Sequence, residues 1–167
     1  MLTQQRLTKL LNYDPATGDF TWLVRTSRRV KVGDIAGHFA ANGYRHIGID
    51  GKVWLAHRLT WLYMTGDFPV DQIDHINGVK ADNRFCNLRE ATGAENQQNL
   101  PLPIHNKSGF MGVSWSRERR KWSAYIQIAG RTKYIGRFST AESAHAAYLA
   151  AKARLHTFQP VPRDFNA

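Results

Sequence analysis

Cysteine is almost absent from this chain of 167 residues, in which Cys86 stands alone. A single cysteine excludes an internal disulfide framework and a cysteine-rich zinc module. No stretch approaches ~20 uninterrupted apolar residues, so we expect no membrane span. Residues 1–6 carry no apolar signal-peptide core. These absences favour a soluble protein of a reducing compartment, and we expect a cytoplasmic location.

Acidic residues are scarce in the last part of the chain. The net charge of +10 divides into +2 for residues 1–100 and +8 for residues 101–167. Such an excess of cations at one end favours a polyanionic partner, most often nucleic acid. A basic surface that only keeps the protein in solution stays open as an alternative.

Apolar spacing and turn residues predict the elements of the first part. In order, they are a helix over 3–11, a strand over 19–24, hairpin strands over 44–49 and 52–56, and a helix over 57–65. Asp50-Gly51 is a signal for a type I′ turn between the hairpin strands. His57 and Arg58 begin the second helix. Either they lie beside a functional site, or local hydrogen bonds satisfy them at the helix start.

Two prolines in Leu100-Pro101-Leu102-Pro103 mark a boundary, since proline disfavours both helix and central strand. We therefore predict a first domain over 1–100, a linker over 101–108, a second domain over 109–158 and a tail over 159–167.

The second domain is expected to be a small three-stranded antiparallel sheet packed on one helix. The predicted strands are 112–115, 121–128 and 132–138, and a capping-box sequence, Ser139-Thr140-Ala141-Glu142, opens a helix to Leu155. Alternation places Trp122, Ala124, Ile126 and Ile128 on the helix side, and Ser123, Tyr125 and Gln127 on the other side. Trp115 is expected to lie partly in the core. The helical spacing of Ala144, Ala147, Tyr148, Ala151 and Leu155 places them on the helix face towards the sheet. The predicted fold class of the whole chain is α+β.

Residues 73–96 combine side chains that suit phosphodiester hydrolysis. Asp74 and His75 end a predicted strand, Asn87 precedes the next strand, and Thr92-Gly93-Ala94-Glu95 opens a helix that carries Asn96. Histidine is the natural base for activating water at neutral pH. Carboxylate and amide oxygens favour Mg²⁺ over Zn²⁺. Taken singly, these residues are more often turn formers and caps, and only the ordered set favours catalysis.

The segments Ile73-Asp74-His75, Asn87-Leu88-Arg89 and Glu95-Asn96 together resemble the HNH endonuclease motif, in the variant with Asn at the third position. His57-Arg58-Leu59 is similar to a helix of the homing-endonuclease-like subgroup. The resemblance covers roughly residues 40–100 and implies an N-terminal ββα-metal nuclease domain that cuts double-stranded DNA with one Mg²⁺ or Mn²⁺ ion.

By this resemblance, His75 is the general base, Asp74 and Asn96 hold the metal, and the metal stabilises the leaving 3′ oxygen. Asn87 is implied to hold the histidine-bearing loop and to orient the imidazole. Many members have His where this chain has Asn96, which weakens a Zn²⁺ interpretation. Asp82 and Asn83 are expected to serve loop structure. Arg84 and Arg89 either contact phosphate or are plain surface charges.

The second domain resembles the plant ethylene-response-factor DNA-binding domain. The resemblance rests on Ser108-Gly109-Phe110-Met111-Gly112-Val113, Lys121-Trp122-Ser123-Ala124-Tyr125-Ile126, Tyr134-Ile135-Gly136-Arg137-Phe138 and Thr140-Ala141-Glu142. It implies a sheet lying in the major groove. Many plant members have Arg where this chain has Met111 and Ser114, so the family's base contacts do not transfer.

Polar, aromatic and basic groups of the second domain are the predicted DNA contacts, with charges on phosphate and side chains on base edges. They are Ser114, Arg117, Arg119, Lys121, Tyr125, Gln127, Arg131, Lys133, Tyr134 and Arg137. A module that binds another protein or packs on the nuclease is the alternative.

The expected function is that of a phage or mobile-element endonuclease, nicking or site-selective, monomeric on DNA and without a small-molecule cofactor. A DNA-binding protein with a decayed nuclease domain, and a toxin-like nonspecific nuclease, are the competing hypotheses.

Overall fold

The computed structural model describes residues 1–99, 102–103 and 105–158. These residues form two compact units, 1–92 and 93–158. The fold is mixed α/β with several small antiparallel sheets, which confirms the expected class in outline. The predicted tail, 159–167, lies outside the described residues, as do three residues at the predicted boundary, 100, 101 and 104. No helix among the described residues is long and apolar enough to cross a membrane.

The first unit consists of two α-helices, seven short strands and one 3₁₀ turn, Phe85–Asn87. The helices and strands are α1 (Gln4–Leu10), β1 (Leu11–Tyr13), β2 (Phe20–Trp22), β3 (His38–Phe39), β4 (Arg45–Ile49), β5 (Lys52–Leu55), α2 (Ala56–Thr65), β6 (Gln72–His75) and β7 (Leu88–Ala91). β1 pairs with β2, β3–β4–β5 form a sheet in that order, and β6 pairs with β7, all antiparallel.

Turn chemistry sets the β4–β5 hairpin and the end of α2. Asp50 and Gly51 have φ angles of 49° and 75°, as a type I′ turn requires at both central positions. Gly66, at φ 95°, is left-handed and donates its N–H to the carbonyl of Leu62. The predicted hairpin and helix are therefore confirmed, with bounds shifted by a residue or so.

The core of the first unit forms where α1, β1, β2, β4 and α2 meet. Leu7, Leu11, Phe20, Ile47 and Leu59 are all fully buried there. The strands β1 and β3 were not predicted. The start of α2 lies beside the end of β6, where the ring of His57 contacts that of His75, and the candidate site lies there.

The second unit starts with a four-residue helix, α3 (Gly93–Asn96), and ends with a longer helix, α4 (Ala141–Leu155). Between them lie β8 (Val113–Ser116), β9 (Lys121–Ile128) and β10 (Arg131–Phe138), in the order β10–β9–β8. α4 packs on one side of this sheet against Val113 and Ala124, and the buried Ala144 allows the close approach.

Four details of the second unit differ from the sequence predictions. Thr140, not Ser139, caps α4, because its hydroxyl accepts the N–H of Ser143. Leu155 is 41% exposed, since the buried stripe of α4 runs on to Lys152 instead. Ser123 stands opposite Ser114 and Arg137 on the predicted side, yet it is buried because the neighbouring strands cover a small side chain on the central strand. Trp115, expected to be partly in the core, is 47% exposed.

Candidate active site

Asp74 and His75 end strand β6, and the chain turns away directly after them. β6 pairs with β7 so that Asp74 lies opposite Arg89 and His75 opposite Leu88. The turn is closed by two backbone hydrogen bonds of 2.8 Å, Gly78 N–H to the His75 carbonyl and Ile76 N–H to the Asn87 carbonyl. Asp74 is 5% and His75 4% exposed. Two titratable side chains are thus buried at the end of a strand, next to a tight turn.

Arg89 forms an ion pair with the buried Asp74 carboxylate. Its Nε and Nη2 donate to Oδ2 at 2.9 and 2.7 Å. The Arg89 side chain is 24% exposed and the Asp74 side chain 6%. A buried carboxylate needs such a partner to offset its desolvation. Arg89 is therefore more than a plain surface charge, and its predicted contact with phosphate stays a prediction.

The imidazole of His75 is held by a buried amide. Its Nε2 lies 3.3 Å from Oδ1 of Asn83. Burial lowers the pKa of His75, while the Asn83 hydrogen bond and the charge of Asp74 act in the opposite direction. A lowered pKa keeps the ring neutral at neutral pH, which is the form that a general base needs.

His57 and Tyr44 pack around His75. The ring centroid of His57 lies 5.1 Å from that of His75 in an edge-to-face contact, and that of Tyr44 lies 6.0 Å away. Burial, followed by the neighbouring His75 and Arg58, lowers the pKa of His57 to about 3. Burial, followed by the charge of Asp74, raises the pKa of Tyr44. His57 is therefore adjacent to the candidate base.

Arg58 plays a different part from its neighbour. Its guanidinium donates to the backbone carbonyls of Asp71 and Pro69 at 3.0 and 3.3 Å. These bonds shape the segment that leads into β6. In the structure, Arg58 is therefore satisfied by local hydrogen bonds, which is the second of the two alternatives given for it in the sequence.

Asn87 links the two sides of the loop after His75. Its Oδ1 accepts the N–H of Asn77 at 3.0 Å, and its Nδ2 donates to Oδ1 of Asn77 and to the carbonyl of Asp82 at 3.0 and 2.9 Å. These contacts suit the implied role of holding the loop. Asn83 also contacts the imidazole, and orientation of the ring by Asn87 stays a prediction.

The Asp82–Arg84 pair lies on the same loop. Arg84 donates to both carboxylate oxygens of Asp82 at 2.7 and 2.6 Å, and the Arg84 side chain is 45% exposed. These bonds lower the pKa of Asp82. Asp82 also accepts Nδ2 of Asn77 at 2.8 Å, which agrees with its expected role in loop structure.

Asn96 ends α3 and belongs to the second unit. Its role as a metal ligand beside Asp74 stays a prediction. Among the described residues, no group of three or more His, Cys, Asp or Glu side chains is placed to hold a metal. One carboxylate and one amide are hard oxygen donors, a set that suits Mg²⁺ or Mn²⁺ with water and phosphate completing the shell.

All ten predicted DNA contacts of the second unit are exposed. We call the side of its sheet that faces away from α4 the open face. By the strand register, it carries Ser114, Lys121, Tyr125, Gln127, Tyr134 and Arg137.

Aromatic rings and a cation adjoin one another on the open face. The rings of Tyr125 and Tyr134 are 5.5 Å apart, and Cζ of Arg137 lies 5.9 Å from the Tyr134 centroid. Arg117 and Arg119 lie in the exposed turn between β8 and β9. Arg131 and Lys133 are not part of this face, because they pair with Ile128 and Ile126 and so point to the helix side.

Three residues of the first site were missed in the sequence. Asn83 and Tyr44 adjoin His75, and the Tyr13 hydroxyl donates to the Asn83 carbonyl at 3.0 Å and accepts the Phe85 N–H at 2.9 Å. Asn83 lies in an Asp-Asn-Arg run whose composition is that of a turn. No local signal distinguishes a buried asparagine there.

The comparison with known families agrees with this geometry. Residues 55–98 match the model of the HNH endonuclease family, and this range contains His57, Asp74, His75, Asn87 and Asn96. Residues 55–98 are therefore similar to the HNH endonuclease family, which supports that part of the resemblance. The match does not reach the second unit's sheet, whose likeness to ethylene-response-factor domains stays a prediction.

A curated relative is Protein 3.8 of Escherichia phage T7. The two are 37% identical over 76 residues, which make up 45% of this chain and 63% of Protein 3.8. The chain thus matches less than two thirds of that relative. No solved structure matches the chain.

Proposed function

We propose that the protein is a metal-dependent DNA endonuclease that hydrolyses phosphodiester bonds at the His75 site. The observation that supports this most is the buried His75, held neutral by burial next to Asp74, inside the segment that matches the HNH family. A neutral, positioned imidazole can take a proton from water as it attacks phosphorus.

The remaining groups of the site prepare it for this step. Arg89 holds the Asp74 carboxylate in place, and Asn87 holds the loop that follows His75. Asp74 and Asn96 would hold one Mg²⁺ or Mn²⁺ ion. When bound, such an ion supplies charge stabilisation at the phosphate and the leaving 3′ oxygen. His75 itself orients and deprotonates the water.

The second unit is proposed to bind double-stranded DNA through its open face. Its exposed cations would contact phosphate, and Gln127 or the tyrosines would meet base edges. The basic C-terminal part of the sequence supports this proposal. One site per chain and a monomer on DNA would give a nick. The phage relative supports a phage setting.

The test is conversion of supercoiled plasmid to open circle, with Mg²⁺ or with EDTA. Wild type is compared with His75→Ala and with His38→Ala, a matched control at an exposed histidine of β3. We expect Mg²⁺-dependent nicking by wild type and His38→Ala. We expect none by His75→Ala, although that variant still shifts DNA in a gel.

Two results would count against the proposal. Nicking by His75→Ala at the wild-type rate would remove the base from the mechanism. Failure of wild type to cut both plasmid and a library of random duplexes would favour a DNA-binding protein without activity.

A further inference from the structure

Asn83 is buried to 1% exposure, and both ends of its amide have partners. Nδ2 donates to the carbonyl of Ala81 at 3.1 Å, and Oδ1 faces Nε2 of His75 at 3.3 Å. A carbonyl oxygen only accepts hydrogen bonds, so the amide nitrogen has to be the end that faces Ala81. The orientation of the Asn83 amide is therefore determined by its surroundings.

This orientation determines where the imidazole carries its hydrogen. Since Oδ1 of Asn83 is an acceptor, Nε2 of His75 has to be the donor. A neutral imidazole has one N–H, and its lone pair then lies on the other nitrogen. In the neutral ring, Nδ1 is thus the basic atom.

The backbone of Asn83 is anchored from the N-terminal segment. The Tyr13 hydroxyl bonds the Asn83 carbonyl and the Phe85 N–H, one on each side of Arg84. Gly18, at φ 79°, packs so closely on the peptide between residues 83 and 84 that a Cβ there would overlap it. An amide on such a fixed backbone has little freedom to turn away from the ring.

We propose that Asn83 is a positioning residue that holds His75 in the Nε2–H tautomer, so that Nδ1 is the atom that takes the proton from water. The catalytic meaning of this inference rests on the proposed nuclease function. Removing the hydrogen-bond partner of a metal-ligating histidine typically costs ~10- to 100-fold in metal affinity or activity, and a partner that orients a histidine base acts in the same way. We expect a loss of that size in the nicking rate of Asn83→Leu, with little change in KM.

The direct test is the ¹⁵N NMR spectrum of the His75 ring in the full-length protein, at a pH where the imidazole is neutral. In wild type we expect a protonated Nε2 and an unprotonated Nδ1. In Asn83→Leu the two shifts are expected to move towards each other as the tautomers mix. Asn12→Leu, the same change at an exposed position of β1, is the matched control.

The outcomes separate this inference from the proposed function. A hydrogen on Nδ1 in wild type overturns the inference without any variant. The inference can therefore be tested even if Asn83→Leu does not fold. Wild-type ring shifts in a folded Asn83→Leu also overturn it, even if wild type nicks DNA. If the ring shifts respond but wild type cuts no DNA, the nuclease function fails and the role of Asn83 in catalysis fails with it.

Discussion

Replacing His57 by phenylalanine should make the first unit less sensitive to acid. His57 is 6% exposed and contacts the rings of Tyr44 and His75. Its pKa of about 3 in the folded protein lies far below its ordinary value of 6.5. As the pH falls below 6.5, the unfolded chain takes up this proton and the folded chain does not. Acid therefore favours unfolding, and this loss of stability continues until the folded ring is protonated near pH 3.

The size of the effect follows from proton linkage. Each full pH unit between the two pKa values changes the free energy of unfolding by ~1.4 kcal/mol. Between pH 7 and pH 5, His57 lowers the free energy of unfolding by about 2 kcal/mol. The value is smaller than two full pH units would give, because the unfolded histidine is only partly protonated near pH 6.5. Any folded pKa below ~4 gives nearly the same value over this interval.

The assay is urea unfolding of wild type, His57→Phe and His38→Phe at several pH values from 5 to 7, followed by NMR signals of the first unit. The stability of His57→Phe should fall by about 2 kcal/mol less than that of wild type across this range. The exposed His38→Phe should keep the wild-type slope. Equal slopes for wild type and His57→Phe would refute a buried, neutral His57.

Other parts of the structure give three further expectations. Arg89→Met leaves the buried Asp74 carboxylate without its cation, and urea unfolding should show a loss of about 2 kcal/mol, less than for a fully buried pair; an unchanged stability would contradict the ion pair's role. Tyr13→Phe removes one buried and one partly buried hydrogen bond of the same hydroxyl and should lower the free energy of unfolding by ~1–2 kcal/mol, as thermal or urea unfolding will show. Tyr134→Ala should weaken duplex binding in a mobility-shift titration by ~1 kcal/mol or more, through the loss of its contact area. Leu149→Ala, on an exposed site of α4, should bind as wild type does, and equal losses in both variants would argue against the open face.

Local sequence patterns were sufficient to predict the helices and strands that have clear apolar periodicity or characteristic turn residues. The β4–β5 hairpin follows from Asp50-Gly51, and the end of α2 follows from Gly66. The strands β1 and β3 have three and two residues, too few for an alternating pattern. Their formation depends on pairing with distant segments.

The burial of long polar side chains cannot be predicted from the spacing of apolar residues. Lys152 is buried on α4 because its stem packs like an aliphatic chain while Nζ donates to the carbonyl of Gln98 at 2.7 Å. A polarity pattern assigns such a residue to solvent and assigns Leu155 to the core. Only the tertiary contact reverses that assignment.

The sequence predicted the motif residues of the candidate site better than it predicted the residues that hold them in place. Asp74, His75 and Asn87 are recognisable because their types and order form a motif. The partners Arg89 and Asn83 belong to ordinary surface and turn compositions. The role of Arg89 depends on the β6–β7 register, which places it opposite Asp74. The role of Asn83 depends on the hydrogen bond from the Tyr13 hydroxyl to its carbonyl. Both contacts join residues far apart in the chain.

In the proposed reaction, water deprotonated at His75 attacks the phosphate and the 3′ oxygen leaves. The most direct test is to nick plasmid with Mg²⁺ in H₂¹⁸O and to analyse the ends at the cut. We expect a 3′-hydroxyl and a 5′-phosphate that has gained one ¹⁸O, with no such product from His75→Ala. A 3′-phosphate, a covalent protein–DNA adduct, or the same labelled product at the wild-type rate from His75→Ala would contradict it.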